Sequence, residues 1–100
     1  MRKYRIEYSP ETENHFQYLS KRQQILVLEA VDKQLQFQPD IETRSPKPMR
    51  PNPLAPWELR IGTLRVYYDF EGSPEHVVFI RAIGIKKRSS VRIGREVIKL

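Results

Sequence analysis

The sequence predicts an α+β domain in which two helices cover one face of a mainly antiparallel, twisted sheet. Three observations predict it: strand-period alternation from Tyr4 to Tyr8, helix signals between Ser9 and Pro39, and alternating segments separated by turn residues from Trp57 onward. The 100 residues suffice for one hydrophobic core, so residues 1–100 read as a single domain.

Tyr4, Ile6 and Tyr8 alternate with Lys3, Arg5 and Glu7, which gives a first strand with one apolar face. Ser9-Pro10 ends it and starts a helix, serine as cap and proline in the first turn, with Glu11 and Glu13 near the positive end of the helix dipole. Phe16 and Leu19 are its expected inward residues. Ser20 caps a second helix, with Gln23 in the capping-box position, and Ile25, Leu28, Val31 and Leu35 form the expected inward stripe. Pro39 ends this helix. The short link between the two predicts a helical hairpin packed on the sheet as a unit.

From Ile41 to Pro56, Pro46, Pro48, Pro51, Pro53 and Pro56 stand among Arg44, Lys47 and Arg50. Proline removes backbone donors and favours extended backbone, so this segment reads as a stiff loop. Leu59 and Ile61, then Leu64, Val66 and Tyr68, alternate on either side of Gly62-Thr63, a strand-turn-strand pattern. Gly72-Ser73-Pro74 marks a second turn, and His76 to Ile83 reads as a further strand. Lys86 to Leu100 is basic, with strand character near Val97-Ile98. The expected order is thus strand, helix, helix, then three or four strands, with the sheet face opposite the helices left open.

Composition narrows the chemistry. Cysteine is absent and the two histidines, His15 and His76, are isolated, so no metal or other cofactor is expected. The longest apolar run, Ile25-Leu26-Val27-Leu28, is far too short to cross a bilayer, and the basic N-terminus lacks the apolar core of a secretory signal. A cytoplasmic location is expected. The net charge of +6 and pI near 9.8 favour a polyanionic partner. The charge is uneven: Arg81, Lys86, Lys87, Arg88, Arg92, Arg95 and Lys99 face only Glu96 in the last stretch, whereas most acids lie in the first half.

Arg60 and Arg65 flank the Gly62-Thr63 turn. Two guanidinium groups on neighbouring strands make a fixed anion clamp, because each presents a planar fork of donors and stays charged at any working pH. With Arg81 and the basic tail, they outline a groove for a phosphodiester chain.

The run from Trp57 to Gly62, then Leu64-Arg65-Val66-Tyr67-Tyr68, Val77 to Gly84 and the basic cluster after it, resembles the RelE/ParE superfamily of bacterial type II toxins. The strand-helix-helix-strands order is similar as well, and the resemblance spans nearly the whole chain. It implies a small growth-inhibiting toxin held inactive by a cognate antitoxin. RelE-like members cut messenger RNA on the ribosome without a metal, the ribose 2′-hydroxyl attacking the adjacent phosphate. ParE-like members share the fold, lack the ribonuclease residues and poison DNA gyrase. Cutting requires a base, cations at the phosphate and an acid for the leaving oxygen.

By resemblance, Arg65 matches the arginine after the hairpin turn that stabilises phosphate, and Arg60 lies where ribonuclease members carry lysine or arginine. Lys86 and Arg88 match further basic positions. Arg92 stands where the ribonucleases have a tyrosine proposed as general base, and arginine cannot accept that proton. Lys86 or Lys87, Glu58 and His76 are the alternatives. Arg50, Arg81, Arg92 and Arg95 are candidate RNA-binding residues. Tyr67 and Tyr68 read as packing residues, and His15 as a surface or helix-packing histidine.

Overall fold

The computed structural model describes residues 3–37, 39–40 and 46–99. Its elements are β1 (Arg5–Tyr8), α1 (Glu11–Gln17), α2 (Lys21–Leu35), β2 (Pro46–Pro48), β3 (Trp57–Ile61), β4 (Leu64–Glu71), β5 (Val77–Lys87), β6 (Ser90–Ile93) and β7 (Glu96–Lys99). They form one sheet in the order β2-β3-β4-β5-β6-β7, and β1 pairs parallel with the first half of β5. All other pairings are antiparallel. The α+β class is therefore as expected.

Six strands rather than three or four follow the helices among the described residues. The surplus comes from both ends of the strand region. Pro46–Pro48 pairs with β3 as an edge strand, a position where a missing amide donor costs nothing; residues 41–45 of the expected loop lie outside the described residues. At the other end, β5 runs on to Lys87, and two tight turns fold the basic tail back as β6 and β7. Charged residues masked the alternation of β6, whereas the strand character expected near Val97-Ile98 is β7.

The helix entry also differs in detail. The capping box at α2 forms as expected: the Gln23 amide donates to Ser20 Oγ at 3.1 Å and the Ser20 amide to Gln23 Oε1 at 2.9 Å. Ser9, however, does not cap α1. Its hydroxyl donates to the Arg81 carbonyl at 3.2 Å, tying the helix entry to β5, and Pro10 takes the cap position.

Val27, Val31 and Leu35 of α2 are buried, not the full predicted stripe. Ile25 and Leu28 are 48% and 43% exposed. The difference is one of phase: Val27, Val31 and Leu35 are the centre of the buried arc, Leu28 lies on its flank and Ile25 well beyond it. Together with Leu19 they pack on Leu59, Leu64, Val66, Tyr68, Val78, Ile80 and Ile83, the helix-side core, with Phe16 at its margin. The buried Tyr68 hydroxyl donates to the Pro39 carbonyl at 2.7 Å.

The opposite sheet face is not open along its length. Tyr67, Ala82, Val91 and Ile93 form a second cluster there, covered by Ala55, Leu54 and Met49 of the proline segment. The stiff loop is thus a lid on a small second core. Gly84 lets β6 lie close: a Cβ at this position would meet the Arg92 carbonyl oxygen at 2.5 Å. No described helix is long and apolar enough to cross a membrane.

Candidate anion-binding site

The site grows out of the β3–β4 hairpin. Gly62 adopts φ 58°, the left-handed region open to glycine, and the two-residue turn makes Arg60 and Arg65 direct cross-strand partners. Glu58 and Tyr67 form the next pair on the same face. Strand alternation sends all four side chains away from the helices.

Two like charges directly opposite each other repel. Glu58 offsets this. Its carboxylate is 4% exposed and accepts from Arg60 Nε at 2.8 Å, while Arg65 Nε lies 3.8 Å from its other oxygen. The Arg65 side chain is only 13% exposed, and its Nη1 donates to the carbonyls of Gly62 at 2.7 Å and Leu64 at 2.9 Å. Arg65 therefore braces the turn as well as charging the site. Arg60 stands further out, at the mouth.

Tyr67 sits behind this group. Its hydroxyl is buried, close enough to Glu58 to feel the carboxylate, yet closes no hydrogen bond of standard geometry. Burial and then the Glu58 charge push the phenol well above its ordinary range. It stays protonated and packed. Arg65 Nε is likewise buried without a hydrogen bond, so Glu58 is the common neighbour of two polar groups that lack full partners.

Glu58, Arg60 and Lys86 line a cleft of about 270 Å³ whose far wall is Pro48 to Asn52, including Arg50. Lys86 is brought there by β5, whose Lys86 amide donates to the Thr63 carbonyl at 2.8 Å and locks the hairpin turn to the strand. The structure thus brings together Glu58, Arg60, Arg65, Lys86 and Arg50.

Other sequence candidates lie elsewhere. Lys87 alternates to the opposite face from Lys86 and is exposed. Arg88 occupies the β5–β6 turn with φ 52°, unusual for a residue other than glycine. Arg92 is the partner of Ile85 on the helix side, and its Nη1 donates to the Gly94 carbonyl at 3.0 Å. Arg81 stacks over Phe79 at 5.1 Å beside β1 and does not line the cleft, because a register shift separates this part of β5 from the Arg65 region. Arg95 borders a separate cavity with His15 and Tyr18. His76 precedes β5, packs edge-on against Tyr4, and stands at the end remote from Lys86.

His15 proves to be a packing group with a polar duty. Its Nδ1 accepts from the Ile83 amide at 3.3 Å, joining α1 to β5. Among the described residues, no three of His, Asp or Glu converge closely enough to hold a metal ion.

The arrangement can bind an anion through Arg60, Lys86 and Arg50, and it holds one carboxylate within reach of the same space. Tyr67 is the packing residue expected, but its place beside Glu58 escaped the sequence reading, as did Asn52. Tyr67 was legible as Glu58's partner once a two-residue turn is assumed, since register then fixes every pair. Asn52 carried no signal beyond being a turn former, yet it organises the far wall. Compared with known proteins, the chain matches no family model and no curated protein.

Proposed function

We propose that this chain is the toxin of a type II toxin-antitoxin pair of the RelE/ParE kind, acting on messenger RNA at the ribosome. The observation that carries this reading is the convergence of Arg60 and Lys86, from separate strands, on one cleft that also holds Glu58. Arg60 and Lys86 hold the scissile phosphate; Arg65 braces the hairpin turn behind them and adds its charge, and Arg88 stands on the β5–β6 turn outside the cleft lining.

In the reaction the ribose 2′-hydroxyl loses its proton and its oxygen attacks the adjacent phosphorus. The bond from phosphorus to the 5′-oxygen then breaks, leaving a 2′,3′-cyclic phosphate and, after protonation, a 5′-hydroxyl. The cations offset the charge gathered on the phosphoryl oxygens in the transition state. Glu58 takes the proton, since Lys86 serves as a cation at the phosphate; Arg92 cannot, and it faces the helix side. The cognate antitoxin covers the basic cleft with an acidic segment, which offsets the charge and blocks entry.

Expression of the chain alone is expected to arrest growth with cuts in translated messages, read by primer extension, and co-expression of its antitoxin to relieve the arrest. Intact messages during arrest contradict the ribonuclease reading. One observation favours a second reading, a ParE-like toxin of DNA gyrase: arginine replaces the tyrosine base at position 92. Gyrase-linked DNA breaks in arrested cells, with intact messages, select it.

A further inference from the structure

We infer that the proline loop beside the arginines is a base subsite, so that the cleft takes one unstacked nucleotide of single-stranded RNA, its base on the loop and its phosphate on Arg60 and Lys86. This rests on the reading of the cleft as a phosphate site and adds what fills the rest of it.

The cleft is chemically two-sided. Arg60 and Lys86 supply charge from the sheet, whereas Pro48, Met49 and Pro51 supply an apolar wall, with Arg50 among them. Apart from the Arg50 charge, a bare phosphate gains nothing from that wall. A ligand with a flat apolar face joined to an anion gains from both sides, and a nucleotide is such a ligand. Unstacked bases are held against apolar side chains and against the planar face of arginine in single-strand recognition. A volume of about 270 Å³ is on the scale of a single nucleotide.

The wall is built in advance. The Met49 amide donates to the Pro56 carbonyl at 2.7 Å and closes the loop at its base. Within it, Asn52 Nδ2 donates to the carbonyls of Arg50 at 2.7 Å and Ala55 at 3.0 Å. Its Oδ1 accepts from the amides of Leu54 at 2.7 Å and Ala55 at 3.1 Å. Leu54 and Ala55 are in turn anchored in the second core. The loop thus loses little freedom when a base settles on it, which preserves the binding energy that ordering would otherwise consume.

The test is calorimetric titration of the full chain at one low ionic strength with inorganic phosphate, ribose 5-phosphate and adenosine 3′-monophosphate. The nucleotide is expected to bind about tenfold more tightly than ribose 5-phosphate, the scale of one stacked base. Met49→Ala and, on the exposed rim away from the core, Pro51→Ala are each expected to shrink that ratio several-fold while leaving inorganic phosphate binding unchanged. Equal affinity for all three ligands overturns the base subsite and leaves the phosphate site standing. Absence of binding by any of them overturns both. A nucleotide preference that survives both substitutions places the base elsewhere and also overturns the inference.

Discussion

Arg60 Nε donates to Glu58 Oε1 at 2.8 Å, and the acceptor carboxylate is buried while the guanidinium reaches the cleft. A buried anion is thereby used to fix an outward cation. The same carboxylate lies near the cross-strand partner Arg65, so one acid steadies both arginines of the hairpin.

Replacing the acid should therefore loosen the site from behind. Glu58→Ala leaves the largely buried Arg65 charge without its nearest anion, and we expect a loss of roughly 2 kcal/mol in urea unfolding. That is below the cost of breaking a fully buried pair, because Arg60 is half exposed and water screens its share. An unchanged midpoint would mean that Glu58 does not hold the arginines.

Arg88 separates fold from function by sign. At φ 52° an L-residue is strained and glycine is not, so Arg88→Gly should stabilise the fold by about 1 kcal/mol. The same change removes a positive charge from the β5–β6 turn, outside the cleft lining, and should weaken RNA binding through the longer-range field. A melting temperature that rises while affinity falls supports the assignment; movement of both in the same direction opposes it.

Sequence patterning carried the helix-side core because period-2 and period-3.6 signals were undiluted at Leu59, Leu64, Val66 and Val31. It failed where another demand overlay the period. Arg92 hides β6 under charge, β7 shows only as the strand character at Val97-Ile98, and Pro46–Pro48 reads as loop until β3 is there to pair with it. The arginine pair was legible from the Gly62-Thr63 turn. The covering of the second face was not, since it depends on Leu54 and Ala55 folding across β5 and β6 from a distant segment.

His15 should give the fold a dependence on acid. Burial lowers its pKa, with Glu11 and then Glu96 pulling weakly the other way, so the folded state favours the neutral ring that accepts from the Ile83 amide. The unfolded histidine titrates near 6.5. The unfolded chain therefore binds more protons below that value, and this part of the stability is complete above pH 6.5 and declines as pH falls toward the lower folded value. His15→Gln retains an acceptor without titrating and should flatten the change in urea midpoint between pH 7.5 and pH 5. An equal slope in both proteins would exclude His15 as its source.

The central claim, that Arg60 and Lys86 hold RNA phosphate in one cleft, is tested most directly by the salt dependence of binding. A short single-stranded RNA is titrated into the wild-type chain and into Arg60→Ala/Lys86→Ala across a range of salt concentrations. The account predicts a loss of at least about tenfold in affinity and a log–log salt slope shallower by about 1.4, the release expected for two phosphate contacts on a single strand. Equal affinities with parallel slopes would contradict it.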